Sequence, residues 1–388
     1  VLGDSFDESL PPLFLPYKLR SLELENRVVV SPMSMYSSVD GMPDDWHLVH
    51  YGGLAKGGAG LIYTEMTDIS SEARITPGCA GIWNEQQEAS WKRIVDFVHA
   101  HTSAKFAMQL GHAGAKGATK EPWNWHPDRL DDPLNDEDSW PLVSAGAIPY
   151  DSFSQVPAEI TREQMDEITQ QFVEATRRTN NAGFDLLELH AAHGYLISSF
   201  ITPVMNNRSD EYGGSLENRL RYPLEVFTAM RETWPQHKPM SVRISAHDWM
   251  GDSGNTDEDA VAIARAFTAA GADIIDVSSG QVSHQSKPQP GRMFQTPLSD
   301  RIRNEANIAT MAVGNIFELD HVNSIIAAGR ADLVCLARPH LADPNWTLRA
   351  AAEMGHNGLG VNAPHQYFMG YRQLQINLQR AAEMAAEK

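Results

Sequence analysis

His190, His193 and Tyr195 fall together in LELHAAHGYL at 187–196, where an apolar run gives out. Three readings suit that spacing. The imidazoles could ligate zinc, could donate hydrogen bonds to one oxygen that gains negative charge, or could be satisfied core groups. A metal-dependent hydrolase on a barrel wants several His and Asp ligands converging. No further cluster completes such a set around this pair, so the hydrolase stands as the alternative of another class and no metal ligand is assigned. Donors fixed in advance stabilise an enolate or oxyanion better than mobile water does. A phenol is acid enough to protonate a carbanion-like carbon, which gives Tyr195 a part beside the pair. No Ser, Cys or Lys is marked as a nucleophile by its setting, so the attacking species is expected from a cofactor.

Residues gathered this way need a frame. Eight short, β-branched runs recur: RVVVSP (27–32), GLIYTE (60–65), KFAMQL (105–110), FDLLELH (184–190), PMSVRIS (239–245), ADIIDVS (272–278), IATMAVG (308–314) and ADLVCLA (331–337). Amphipathic segments lie between them. Thr161 and Gln164 form a capping-box signal ahead of Met165, Ile168, Phe172 and Val173, which share one helical face. Thr256 caps another such segment and Gly271 stops it. Buried strands alternating with helices imply a parallel sheet, and eight units imply a closed (β/α)₈ TIM barrel. An open doubly wound sheet is the rival, but MSMYSSVDG after the first strand lacks the glycines of G-x-G-x-x-G. The chain reads as a single domain over 1–388, with a barrel core over about 27–355, a lid-like insertion over about 111–160 and a helical C-terminal appendage over 356–388. The insertion is too long for a plain connection.

Catalytic groups of such a barrel stand at the C-terminal strand ends. Here these ends present Pro32, Met33 and Ser34; Glu65 and Met66; Gln109 and His112; His190, His193 and Tyr195; Arg243; Ser278 and Ser279; Gly314; and Arg338. Carboxylates are almost absent from that rim, Glu65 being the exception. Gly314 and Arg338 follow the last two strands, where barrels often build a phosphate site. A flat, phosphorylated cofactor is implied, with Arg243 placed where a cation would stabilise a negatively charged reduced ring.

A net charge of −19 argues against a nucleic-acid surface. Cys79 and Cys335 are too few for a disulfide scaffold or an iron–sulfur cluster. No apolar stretch is long enough to span a bilayer, and VLGDSFDESLPPLF carries acids where a signal peptide carries lysines, so a soluble cytoplasmic protein without membrane partners is expected. The first residue is Val rather than Met, compatible with a processed chain, an engineered one or a piece of a longer one. Trp123, Trp125 and Trp140 could form an aromatic lid or pack the insertion's own small core. The acidic run DRLDDPLNDEDS reads as solvated surface. His47, His50, His112 and Cys79 carry no functional signal.

LFLPYKLRSLELENRVVVSPMSMYSS, QLGHAGAKG, HAAHGYLISSFITPVMNNRSDEYGGSLENRLRYPLEV and VRISAHDW together resemble the Old Yellow Enzyme family of flavin reductases, chiefly its thermophilic-like branch. The likeness runs from about residue 12 to 370. It implies non-covalent FMN across the barrel mouth, reduced by NADPH or NADH and passing hydride to an activated C=C bond conjugated to a carbonyl. Carried over, His190 and His193 bind the substrate carbonyl oxygen, Tyr195 protonates the α-carbon and Tyr36 lines the substrate pocket. Pro32, Met33, Ser34, Met66, Gln109 and Arg243 meet the flavin ring, and Gly314 and Arg338 hold its phosphate. Ser34 stands where the branch commonly has Cys. Met369 stands where the branch offers a neighbouring subunit an arginine, although Arg372 is close; a homo-oligomer is left open. The insertion over 111–160 and the stretch DGMPDDWHLVHYGG through RIVDFVHA over 40–100 are similar to the C-terminal reductase domain of 2-aminobenzoyl-CoA monooxygenase/reductase and salicylyl-CoA 5-hydroxylase type proteins. That likeness implies, as an alternative, a dearomatised CoA thioester as substrate and a fused or partner monooxygenase.

Overall fold

All eight expected runs form strands in the computed structural model, which describes residues 10–387. Residues 1–9, including most of the acidic stretch weighed against a signal peptide, and residue 388 lie outside the described residues. The strands are β1 (Val28–Val30), β2 (Leu61–Asp68), β3 (Lys105–Gly111), β4 (Leu186–Ala191), β5 (Met240–Ser245), β6 (Ile274–Ser278), β7 (Ala309–Ala312) and β8 (Leu333–Leu336). They pair in parallel in chain order, and β8 closes on β1. Around them run α1 (Asp45–Lys56), α2 (Glu85–His101), α3 (Arg162–Ala182), α4 (Leu196–Ile201), α5 (Leu216–Thr233), α6 (Asp257–Ala269), α7 (Thr296–Ala306), α8 (Leu319–Ala327), α9 (Arg338–Ala342), α10 (Trp346–Glu353) and α11 (Phe368–Ala386).

Local chemistry sets the element ends. Thr161 and Gln164 cap α3 reciprocally, and Thr256 does the same for α6 with Asp259. Gly271 leaves α6 at φ +106°, a conformation that favours glycine. β1 is shorter than the run that announces it: Ser31 still donates its N–H to the Leu336 carbonyl at 3.1 Å, but Pro32 has no N–H to continue the ladder.

Leu19, Leu22 and Leu24 of an N-terminal hairpin join Val29, Leu61, Tyr63, Ala107, Leu186 and Met311 in the apolar plug of the barrel. A larger core fills the space between strands and helices. β2 carries an extra residue: Tyr63 pairs with Ala107 but Met66 with Gln109. This bulge sends Glu65 toward His47, at 3.2 Å, and leaves Met66 among the residues of the mouth.

The insertion has little regular structure. Val143–Ser144 pairs with Ala158–Glu159, Thr119 bridges to Pro133, and Lys120 meets Asp132 at 2.7 Å. The expected tail helix is α11, which lies against α10. Among the described residues no helix is long and apolar enough to cross a membrane.

Candidate active site

Two layers of polar side chains cross the barrel near its mouth. Gln109, Glu188 and Ser241 are in register on β3, β4 and β5, and His190, Arg243 and Asp276 are in register on β4, β5 and β6. Residues two apart share a strand face, so the second layer stands directly mouthward of the first. In the lower layer Gln109 Nε2 donates to Glu188 Oε1 at 2.8 Å and Ser241 Oγ donates to Glu188 Oε2 at 2.7 Å. The Tyr63 hydroxyl lies 3.1 Å from the same Ser241 oxygen. In the upper layer Arg243 Nη1 donates to Ser31 Oγ at 3.2 Å and stands 3.2 Å from Asp276 Oδ2, within ion-pair reach but off the angle of a hydrogen bond. Among the described residues Arg243 Nε and both Asp276 oxygens have no hydrogen-bond partner. Burial works to strip the Arg243 charge, but Asp276 and Glu188 more than offset it and raise its pKa. Burial also raises the Asp276 carboxyl, against the pull of Arg243.

Past β4 the chain turns through two left-handed residues, His193 at φ +63° and Gly194 at φ +75°. A Cβ on Gly194 would lie 2.8 Å from the Gln281 carbonyl oxygen, so the turn needs glycine there. The turn folds both imidazoles and the phenol over one spot. Ring centroids are 5.1 Å apart for His190 and His193, 4.8 Å for His190 and Tyr195, and 6.5 Å for His193 and Tyr195. Ala192 N–H donates to His190 Nδ1 at 3.2 Å, and His193 Nε2 lies 2.7 Å from Ser278 Oγ. Burial, then the positive charges of Arg243 and Lys116, drives the His190 pKa well below the usual histidine value; the same forces, with His190, act on His193. Both rings are neutral at physiological pH. Burial raises the Tyr195 phenol well above its ordinary value, so it keeps its proton.

Tyr36 and Tyr195 pack on one cluster of Met66, Ile75, Cys79 and Ala113. Tyr36 adopts φ +51° on the loop after β1, whose Met35 N–H donates to Glu65 Oε2 at 3.1 Å. His47, without functional signal in the sequence, thus holds Glu65 and through it this loop. Gly111 leaves room beside it: a Cβ there would lie 2.5 Å from Met66 Cγ and Sδ. Lys116 Nζ donates to the His193 carbonyl at 3.2 Å and lies over the rings of Tyr150, at 4.2 Å, and Tyr195, at 5.2 Å. Of the three tryptophans, Trp123 sets its ring edge-on to Tyr36 at 6.0 Å, whereas Trp125 and Trp140 donate to the Lys120 and Glu72 carbonyls.

Gly314 and Arg338 line one cavity of about 470 Å³ with Asn315, Ala337 and Trp346, and its lining stops short of the His pair. The expected residues therefore form two groups, one over the mouth and one at the β7–β8 side. Glu188, Asp276, Ser278 and Lys116 complete the site. Glu188 and Asp276 are lone charges inside apolar strands, each two residues before a rim residue, His190 and Ser278.

These donors suit FMN. A buried guanidinium with a free Nε faces the mouth, and an exposed Arg338 shares a cavity with Gly314, whose φ is +120°. A Cβ on Gly314 would lie 2.6 Å from Gln295 Nε2, so close packing as well as the positive φ requires glycine there. Among the described residues no three His, Cys, Asp or Glu side chains gather as metal ligands.

Residues 12–357 match the model of the NADH:flavin oxidoreductase / NADH oxidase family. The chain is 40% identical over 363 residues to an NADPH dehydrogenase of Geobacillus sp. (strain WCH70), covering 93% of this chain and 98% of that one. It is 38% identical over 363 residues to an NADPH dehydrogenase of Listeria innocua serovar 6a, covering 93% and 99%. Among solved structures, morphinone reductase in complex with tetrahydroNAD superposes with a TM-score of 0.72 at 27% identity, covering 91% and 92%. A 2-naphthoyl-CoA reductase complex superposes with a TM-score of 0.77, covering 89% of this chain and 52% of that one; at 23% identity the likeness is one of fold.

Proposed function

The chain belongs to the NADH:flavin oxidoreductase / NADH oxidase family, the Old Yellow Enzyme family of FMN-dependent NAD(P)H oxidoreductases, and from that premise we propose that it is an ene-reductase for C=C bonds conjugated to a carbonyl. FMN, when bound and reduced by NAD(P)H, supplies the hydride. Pro32, Met33, Ser34, Met66, Gln109 and Arg243 seat its ring, and Gly314 and Arg338 take its phosphate. His190 and His193 hold the acceptor's carbonyl oxygen, which gains negative charge as hydride reaches the β-carbon. Donors aimed at developing charge in a water-poor site are each worth about 10²–10³ in rate. Tyr195 gives its proton to the α-carbon, and Tyr36 forms the pocket wall.

One observation carries the reading: two neutral imidazoles and an un-ionised phenol converge within 6.5 Å of one another. Neutral rings can donate a hydrogen bond without surrendering a charge-bearing proton, so the acid is left to Tyr195. An acyl-CoA acceptor has less support. Its phosphates need free cations, and the insertion's Lys120 and Arg129 already face Asp132, at 2.7 and 3.8 Å.

The test is the absorption spectrum of the purified protein before and after a para-substituted phenol. Flavin bands with a new long-wavelength charge-transfer band are expected. Flavin bands without that response remove the clamp, and a protein that cannot be loaded with FMN removes the reading altogether.

A further inference from the structure

Glu188 has no part in the chemistry above, yet both neighbouring strands turn side chains toward it. It is fully buried, and each of its oxygens is occupied, one by Gln109 Nε2 and one by Ser241 Oγ. Because Ser241 spends its proton on Glu188, its oxygen is left to accept from the Tyr63 hydroxyl. Whether Glu188 is ionised or carries a proton on Oε2, the oxygen facing Gln109 is an acceptor. The amide of Gln109 is therefore fixed with its NH₂ inward. Its carbonyl is free to face the mouth, where no hydrogen bond among the described residues engages it.

We propose that Glu188 is a positioning residue for the flavin site: it locks Gln109 carbonyl-outward and, when ionised, adds to Asp276 a second negative charge against Arg243 beneath the ring. The inference rests on the seating of FMN over Gln109 and Arg243. An isoalloxazine edge offers one N–H between two carbonyls, so an acceptor from Gln109 and donors from Arg243 are complementary to it. A Gln109 amide free to flip would present the wrong group half of the time. The charge matters because the reduced ring is readily an anion. Arg243 favours that anion, and Glu188, on the strand beside it, opposes the preference.

Two variants separate position from charge. Glu188→Gln keeps the shape and can still accept from Gln109 while donating to Ser241. FMN affinity should survive, but affinity for reduced over oxidised FMN, read from the midpoint potential, should rise about tenfold, the scale of losing one nearby unit charge. Burial and Asp276 lift the Glu188 carboxyl to about 8. The rise should therefore be clear at pH 9 and small at pH 6, where the protonated acid and Gln are alike. Glu188→Leu removes the acceptor and should weaken FMN binding at least about tenfold, measured by release of flavin fluorescence. An unchanged potential at pH 9, a shift of equal size at both pH values, or wild-type FMN affinity in Glu188→Leu would overturn the proposal. If the Leu variant does not fold, the pH dependence in Glu188→Gln decides. Enone turnover and the phenol band report separately on the clamp, so failure of the ene-reductase reading leaves this test standing.

Discussion

Ser278 Oγ stands 2.7 Å from Nε2 of His193, which leaves Nδ1 as the ring nitrogen without a partner among the described residues. With the serine hydroxyl donating, the neutral ring carries its proton on Nδ1 and can offer it to a ligand. His190 is fixed in the opposite tautomer, because Ala192 N–H occupies its Nδ1 at 3.2 Å and leaves the proton on Nε2. The two donors of the clamp are thus different nitrogens. Ser278→Ala should weaken binding of a para-substituted phenol about fivefold, on the order of one hydrogen bond of about 1 kcal/mol. Equal dissociation constants in a spectral titration would show that Ser278 does not set the tautomer.

Tyr195→Phe should leave reduction by the nicotinamide intact and slow the oxidative half-reaction with an enone by about 10²–10⁴, the range for removing a positioned general acid. Stopped-flow spectra of the two halves measure this directly. Equal oxidative rates would take the proton away from Tyr195.

Trp123 remains 66% exposed while packing T-shaped against Tyr36. Such a ring adds little to the core but offers a flat face at the pocket entrance. Trp123→Ala should raise KM for aryl-substituted enones about threefold to tenfold, the scale of one aromatic contact. It should leave KM for small alkyl enones nearly unmoved, with a thermal midpoint within about 1 °C of the parent. A uniform rise across both sets would assign Trp123 to the fold of the insertion instead.

His340 is fully buried, its Nδ1 lies 3.1 Å from the Leu336 carbonyl, and its Nε2 has no partner among the described residues. Burial lowers its pKa from 6.5 to about 4. Between those values the unfolded chain binds the proton and the folded chain does not. The contribution of His340 to stability is therefore complete above pH 6.5 and shrinks as pH falls toward 4, by about 1.4 kcal/mol per unit. The wild type's advantage over His340→Gln at pH 8 should narrow by about 2 kcal/mol at pH 5 in denaturant titrations. A gap independent of pH would mean that the folded ring accepts a proton readily.

The barrel was legible because each strand is an apolar run bounded by turn residues, and the rim was legible because catalytic groups collect where such strands end. His190, His193, Tyr195 and Arg243 do converge there, as do Gln109 and Met66. What escaped is what the rim rule does not look at. Glu188 and Asp276 stand two residues before the last rim residues of their strands, Glu188 one layer below His190 and Asp276 level with it, and the burial that makes such a charge meaningful cannot be seen until the strands are paired. Ser278 was on the rim, but its bond to His193 depends on a left-handed turn that no periodicity announces. The insertion was recognised by length and composition alone; that Trp123 meets Tyr36 while Trp125 and Trp140 do not follows from contacts its irregular backbone keeps out of any sequence pattern.

The extra residue in β2 has a consequence for how the chain can change. Leu61 and Tyr63 lie in the plug, so strict alternation would have turned Glu65 inward as well. The bulge works like a shifted reading frame within one strand: below it the side chains answer to the barrel, above it to the pocket. Flattening the bulge with every residue kept would exchange the places of Glu65 and Met66, putting a carboxylate into the mouth and a thioether against His47. The strand would still be a strand, and the site would be lost by a change of phase.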